Sequence, residues 1–310
     1  MKFNRPLASY LFLSFLLFSN CSYNPNFLNK KTQGNYPKIS IDFATKESFD
    51  IMTWNLENFP KNEFTVDYVA KIIDSLDIDV IALQEIKFNH SFKELLLRLP
   101  NYNGSRVKFS KHKKRLAFIY KKDIEVKNIY QICKLNHFPF EIPFSRAPFV
   151  FELEWNSVPF IIINNHFSNG NKNYKRREYA SKLLKSYVDK NFKSDKVIIL
   201  GDFNDKLTDS SNVNIFQNFL DDKENYLIAD RNLANLDSII YSFPRLHLNP
   251  EKSSHIDHII ISNELFEEFK SPNSKIEVIT LENQLKNNWQ EYYNYISDHR
   301  PVALKLYFNK

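Results

Sequence analysis

From about residue 48 onward, short continuous apolar runs alternate with stretches whose apolar residues fall at helical spacing. Strands are predicted at 49–55, 80–85, 116–120, 149–155, 159–166, 197–202, 256–262 and 302–308. Val66, Val69, Ala70, Ile73 and Leu76 fall three or four apart and predict a helix over 66–76. A basic amphipathic helix is predicted over 174–188. Strands that are apolar throughout, instead of alternating, are covered on both faces. Interleaved with helices, they indicate a layered α/β architecture. No repeat or Pro/Gly-rich linker divides the region, so residues 48–310 read as one domain.

Polar residues recur where the apolar strands stop. Asn55, Glu85, Asn165-His166, Asp202-Phe203-Asn204 and the Asp257-His258 step each lie at a strand end. Ser297-Asp298-His299 stands just before the last strand. Strand ends are where α/β sheets gather active sites, because a rigid sheet fixes the spacing of the side chains it presents.

Composition narrows the chemistry. The 310 residues are 43% hydrophobic and 25% charged, which are ordinary globular values. Only four glycines occur, and none lie close together, so no GxGxxG turn or GxxxxGK[ST] loop is present. That excludes Rossmann dehydrogenases and P-loop NTPases. Cys21 and Cys133 are too few for a multi-cysteine zinc site or a disulfide scaffold. Catalysis must come from Asp, Glu, Asn, Arg and His.

Lys2 and Arg5 precede an apolar run over 7–18, which reads as a secretory signal occupying residues 1–20. The run is too short to cross a bilayer of about 30 Å as a helix. Ser19-Asn20-Cys21 resembles the lipobox of bacterial lipoproteins, with Cys21 as the acylated residue, although Asn20 stands where Gly, Ala or Ser is usual. Export follows in either case, as a membrane-anchored lipoprotein or as a secreted or periplasmic protein. Residues 21–47 are polar and read as a flexible tether. Removing residues 1–20 takes away Lys2 and Arg5 and no acid, so a net charge of +6 becomes +4. A mild positive balance suits a polyanionic substrate or an anionic lipid surface.

Singly, the strand-end residues have ordinary explanations. Asn55 suits a turn, Glu85 a solvent-facing strand end, His166 a hydrogen-bonded core histidine, Asp202 an Asx-turn, and Asp298 a loop. As an ordered set they resemble the endonuclease/exonuclease/phosphatase superfamily, the metal-dependent phosphodiesterases related to DNase I and exonuclease III. The matching stretches are Thr53-Trp54-Asn55-Leu56-Glu57-Asn58, Ala82-Leu83-Gln84-Glu85, Ser145-Arg146-Ala147-Pro148 and Asn164-Asn165-His166-Phe167. Gly201-Asp202-Phe203-Asn204, His255-Ile256-Asp257-His258-Ile259 and Ser297-Asp298-His299-Arg300-Pro301-Val302 complete them. The resemblance implies a DNase I-like four-layered α/β sandwich, two face-to-face sheets flanked by helices, over about residues 49–308.

Phosphodiester hydrolysis needs charge neutralisation on the phosphoryl oxygens, an activated water and a proton for the leaving alkoxide. Hard divalent ions prefer carboxylate and amide oxygens, so Asn55, Glu85 and Asp298 suit Mg²⁺, or Mn²⁺. The resemblance implies the same metal set. It also implies that Asp257 orients His299, that His166 is the second active-site histidine, and that Asp202 and Asn204 position water and hold the phosphate. Arg146 matches a phosphate-contacting arginine, whose forked guanidinium suits the role. His299 is the expected general base, with Asp202 as competitor, and His166 the acid or a phosphate electrophile. DNase I-like members back that second histidine with a Glu near the position of Lys113-Lys114-Arg115-Leu116, where this chain is basic.

The Tyr174-Lys175-Arg176-Arg177 stretch and the Lys108, Lys111, Lys113, Lys114, Arg115 cluster suit either phosphate contacts or a solvated surface. Tyr292, Tyr293 and Tyr295 are core residues or groove lining, and 205–255 is expected to hold specificity loops. The expected protein is thus a monomeric, exported, Mg²⁺-dependent nuclease of low sequence preference acting on DNA. A sphingomyelin or phosphoinositide phosphodiesterase or phosphatase is the alternative. A retired surface-binding lipoprotein is disfavoured because every residue of the set is retained.

Overall fold

The computed structural model describes residue 39 and residues 41–108, 112–132, 144, 146–235, 240–246 and 249–308. In chain order these form β1 (Ser48–Asn55), α1 (Thr65–Leu76), β2 (Val80–Ile86), α2 (Asn89–Leu97), β3 (Tyr102–Arg106) and β4 (Arg115–Lys121). Then come β5 (Glu125–Gln131), β6 (Phe149–Trp155), β7 (Val158–His166), α3 (Tyr174–Asn191), β8 (Val197–Asp202) and the short α4 (Gln217–Leu220). The chain ends with β9 (Tyr226–Ile228), β10 (Asp257–Ser262), α5 (Phe266–Lys270), β11 (Lys275–Val278), α6 (Asn288–Tyr295) and β12 (Val302–Tyr307).

The strands build two six-stranded mixed sheets, ordered β11-β12-β1-β2-β4-β3 and β5-β6-β7-β8-β10-β9. Side-chain parity explains why the interior strands read as unbroken apolar runs. Phe49, Ile51, Ala82 and Phe118 of the first sheet share one core with Phe151, Ile162, Ile198, Leu200 and Ile259 of the second. Residues of opposite parity in the second sheet (Val150, Ile163, Ile199 and Ile260) meet Ala180, Leu184 and Val188 of α3. On the first sheet Met52, Trp54, Ile81 and Leu83 are equally buried. Both faces of each sheet are therefore covered, and each fully buried large apolar side chain contributes about 1.5–3 kcal/mol. The expected layered α/β architecture is the one observed.

All eight predicted strands are present, and all eight lie inside the sheets. The four strands with no predicted counterpart (β3, β5, β9 and β11) are the four edges. The expected tether is shorter on its folded side. Phe43 is buried at 1% exposure, and the Thr45 N–H donates to Asp50 Oδ2 at 3.0 Å, so packing begins before β1. Cys21 and Cys133 lie outside the described residues.

Candidate active site

The inner parity that builds the sheet-to-sheet core continues to the strand ends, where apolar residues give way to polar ones. In the second sheet the register pairs His166 with Asp202, and Asp202 with Asp257, so three adjacent strands present them on one rung. β7 and β8 run parallel while β10 is antiparallel, which brings C-terminal ends and an N-terminal end to the same edge. In the first sheet Asn55 pairs with Gln84 across parallel β1 and β2. The antiparallel β12 begins at the same edge, directly after Asp298 and His299.

Between core and site lies a polar layer. Gln84 Nε2 donates to Asn164 Oδ1 at 2.8 Å and to Thr53 Oγ1 at 3.0 Å, tying the sheets together. Asn164 Nδ2 in turn donates to the Leu83 and Ala117 carbonyls.

Two backbone devices aim the side chains. Between Leu83↔Ala117 and Ile86↔Arg115, β2 holds two residues and β4 only one, a bulge that places Glu85 at φ 64°. Left-handed backbone at a residue with a Cβ costs about 1–2 kcal/mol, and it lets consecutive strand residues serve one site. Gly201 has φ 142°, and a Cβ there would stand 2.1 Å from the Asn165 carbonyl oxygen. Only glycine lets β7 and β8 close beneath the His166–Asp202 pair.

The reactive groups are buried and coupled. His299 Nδ1 lies 2.8 Å from Asp257 Oδ2, and both residues are nearly inaccessible. Burial by itself would keep the imidazole neutral, but the Asp257 charge and hydrogen bond, with Asp298 and Asp202 nearby, lift it to about 10. Burial and the neighbouring Asp257 charge push the Asp202 carboxyl up to about 7, against His299 and two hydrogen bonds. Those bonds come from Asn55 Nδ2 to Oδ2 at 2.9 Å and from the Asn204 N–H to Oδ1 at 2.9 Å. His166 Nε2 stands 3.3 Å from Asp202 Oδ2 and 3.8 Å from Glu85 Oε1. Burial, then Arg146 and His299, hold His166 well below its ordinary value, so it is neutral.

A second group of acids faces this rung. Glu57 has its carboxyl raised by burial and by the Asp298 charge, although Lys61 pairs with it. Asp298 Oδ1 is buried and has no hydrogen-bond partner. Glu85 Oε2 accepts the Asn58 N–H at 3.0 Å and the Lys114 ammonium at 2.6 Å. The mutual repulsion of Glu57 and Asp298, with an unpartnered buried oxygen on Asp298, fits a hard divalent cation, which would supply positive charge there. Asn55 is more committed than expected, since its Oδ1 already accepts the Glu57 N–H at 3.0 Å and only one lone pair remains.

Among the described residues, the carboxylate and imidazole groups that bring ligand atoms within 4.8 Å of one another are Asp202–Asp257–His299 and Asp230–His255–His258, and Glu57, Glu85 and Asp298 do not approach that closely. Each already contains its own cation, an imidazolium held by a carboxylate, which makes them weaker hosts for a metal. In the second cluster Asp230 Oδ2 meets His258 Nδ1 at 2.6 Å and His255 Nε2 at 2.9 Å, while Oδ1 accepts the Ile259 N–H. Burial opposes charge on both partners, yet their attraction holds Asp230 below and His258 above their ordinary values. His258 Nε2 reaches the Asp205 carbonyl at 3.0 Å, so this network clamps β10 to the loop after Asp202.

Asp230 carried no sequence signal, because an isolated Asp before an irregular segment has no motif. Ser297 has no role of its own in the motif pattern, yet its Oγ donates to the Asn55 carbonyl and accepts the His299 N–H.

Arg146 Nε donates to the Lys114 carbonyl, and its guanidinium is close enough to feel the Glu85 and Asp202 charges. Asn204 sits at φ 52° with Nδ2 on the Phe167 carbonyl. Arg177 is no backbone-contacting surface residue: it is buried, pairing with Asp205 at 2.8 Å and capping the Ser168 and Gly170 carbonyls. Lys114 is drawn to Glu85, and Arg115 caps the Val107 and Lys108 carbonyls, so those two do not form a free basic face. The carboxylates beside His166 are Asp202 and Glu85, not one from the 113–116 segment. Tyr292 is wholly buried, taking the Trp54 indole N–H at 3.0 Å and donating to the His299 carbonyl at 2.5 Å. Tyr293 and Tyr295 are partly exposed.

The sequence model of the Endonuclease/Exonuclease/phosphatase family matches residues 52–299. No curated protein sequence matches the chain. Among solved structures, humanized D. rerio TDP2 superposes with a TM-score of 0.64 at 14% identity, covering 84% of this chain and 100% of that one. The human Nocturnin catalytic domain gives 0.60 at 17% identity, covering 85% and 94%. An endonuclease/exonuclease/phosphatase family protein from Bacteroides thetaiotaomicron gives 0.60 at 18%, covering 84% and 98%. With the family match spanning most of the chain, and the rung and its acids in place, this protein belongs to the Endonuclease/Exonuclease/phosphatase family.

Proposed function

We propose that this protein is an exported, divalent-metal-dependent phosphodiesterase that cleaves DNA with little sequence preference. The observation that carries the reading is the single rung His166–Asp202–Asp257, faced by the His299 imidazolium. Support for a nucleic-acid substrate comes from D. rerio TDP2, whose structure holds a single strand DNA product.

Glu85 and Asp298, with the free lone pair of Asn55, would hold Mg²⁺ or Mn²⁺, which when bound acts as a Lewis acid on a phosphoryl oxygen. Asp202, poised near neutrality, takes the proton of the attacking water. This replaces His299 as base: held at about 10, His299 is already protonated at neutral pH and cannot accept another proton. Its charge instead stabilises the transition state, and its Nε2 proton passes to the leaving alkoxide as the P–O bond breaks. Neutral His166, the Asn204 amide and the Arg146 guanidinium add donors around the same oxygens.

Supercoiled plasmid, incubated with Mg²⁺ or with chelator beside an Asp202→Asn control, tests the reading. Metal-dependent nicking that the control lacks is the expected result. A folded, metal-loaded protein that leaves the plasmid intact would refute it and turn attention to sphingomyelin or phosphoinositides.

Export and anchoring rest on residues 1–21, with Lys2 and Arg5 ahead of the apolar run and Cys21 as the acylated residue. Labelled palmitate should enter the parent protein and not a Cys21→Ser variant. Absence of label from the parent would mean release without an anchor. The active unit is proposed to be a monomer.

A further inference from the structure

A polar cleft of about 390 Å³ opens directly beside the site, and its lining includes Asn204 and Ile256, the latter next to Asp257. Of its four cations only Arg177 belongs to a stretch that the sequence singles out; Lys206, Arg245 and Lys252 do not. Phe243 and Ser254 exchange both backbone hydrogen bonds at 2.9 Å, a small bridge that sets Arg245 and Lys252 on the same wall. Lys206, two residues after Asn204, also lines the cleft. None of Lys206, Arg245 or Lys252 forms an ion pair among the described residues. Arg177, the fourth cation, is neutralised by Asp205. Asp209 is the remaining carboxylate, and burial, together with a hydrogen bond that its protonated form donates to Asp205 and the Asp205 charge, raises its proton affinity. Four cations against two carboxylates leave the cleft with an excess of two positive charges.

Phe243 joins the cleft to the chemistry. Its ring centroid lies 4.7 Å from that of His299, and the Arg245 guanidinium lies over the ring at 4.9 Å. A guanidinium supported on an aromatic ring is flat and weakly hydrated, so it can stack on a base while its N–H groups reach a phosphate.

We infer that this cleft is a second phosphate subsite, in which Arg245, Lys252 and Lys206 hold the phosphate next to the scissile one in a polynucleotide strand. The inference rests on the phosphodiesterase reading above and deepens it. A strand is favoured over a compact headgroup because the cleft is open and pairs cationic and stacking groups, the combination that single strands use. A substrate with a single isolated phosphodiester gains nothing from it.

The test compares an Arg245→Ala/Lys252→Ala protein with the parent on a short fluorescent oligonucleotide and on bis(p-nitrophenyl) phosphate, which has one diester and no neighbouring phosphate. The oligonucleotide-to-diester ratio of kcat/KM is expected to fall at least tenfold. The dependence of oligonucleotide KM on salt should become shallower by roughly one phosphate contact or more, at about 0.7 per contact for single strands. Arg245→Lys should recover the charge-dependent part but not the stacking. Equal losses on both substrates, or no loss on either, would overturn the subsite while leaving phosphodiesterase activity intact. A parent protein inactive on both substrates with metal would overturn the underlying reading, and the subsite with it. A loss confined to a phosphoinositide headgroup, with the oligonucleotide unaffected, would overturn the strand as occupant.

Discussion

Asp257→Asn isolates charge from geometry, because an amide oxygen can still accept the His299 Nδ1–H across the present 2.8 Å. His299 rises from an ordinary 6.5 to about 10 in the fold, worth about 5 kcal/mol in favour of the imidazolium at about 1.4 kcal/mol per pH unit. Burial opposes this rise and Asp257 is its largest source, ahead of Asp298 and Asp202. Removing that charge should forfeit at least half of the rise, returning His299 to roughly 8 or below.

A raised histidine is charged below its folded value and loses its charge, with any stability linked to it, as pH rises through that value. The parent enzyme should therefore gain rate as Asp202 ionises near 7 and hold it until His299 deprotonates near 10. In the variant the alkaline limb moves down by about two pH units, giving roughly a tenfold or larger loss near pH 9 and a much smaller one near pH 7. The assay is kcat against pH on bis(p-nitrophenyl) phosphate at saturating metal. An unchanged alkaline limb, or the same loss at both pH values, would refute an electrostatic role for Asp257 and leave only a positional one.

Glu85→Gln and Asp298→Asn should each raise the Mg²⁺ concentration for half-maximal activity by about tenfold or more, since each removes one anionic ligand. Calorimetric Mg²⁺ titration checks this, and parent-like binding in both would exclude the pair as ligands. Asp230→Ala leaves the buried His258 imidazolium without its counterion and should cost about 3–5 kcal/mol of stability. A urea midpoint within error of the parent's would contradict that account. Asp50 and Asp79 lie away from the site, and burial lifts them to about 6 and about 7. Raised carboxyls bind protons in the native state, so their contribution is present near pH 4 and lost as pH rises through 6 to 7. Asp79→Asn should flatten urea-measured stability between pH 4.5 and 8 by about 2–4 kcal/mol. Parallel parent and variant profiles would show that the pair is not the source.

The layered architecture is legible in the letters alone, and so is the set of strand-end residues that makes up the candidate site. Interior strands are covered on two faces, so runs such as Val80-Ile81-Ala82-Leu83 and Val197-Ile198-Ile199-Leu200 must be apolar at every position. Edge strands carry no such demand. β5 is mostly exposed, β11 and β3 are half-exposed beyond Tyr102, and β9 has three residues, so their letters match those of loops. Their strand character comes from the neighbour that supplies hydrogen bonds, and only the tertiary structure provides that neighbour.

The site divides in the same way. Asn55, Glu85, His166, Asp202, Asp257, Asp298 and His299 were legible because motif and strand end coincide. Their protonation was not, because charge depends on burial and on partners distant in sequence. Asp257 lies 42 residues before His299, yet it decides which of His299 and Asp202 can accept a proton. Asp230, Phe243, Arg245 and Lys252 lie in stretches without periodicity, and only folding brings them against the reactive rung. Sequence sets which groups are available for chemistry, and packing sets which of them are charged and which of them meet.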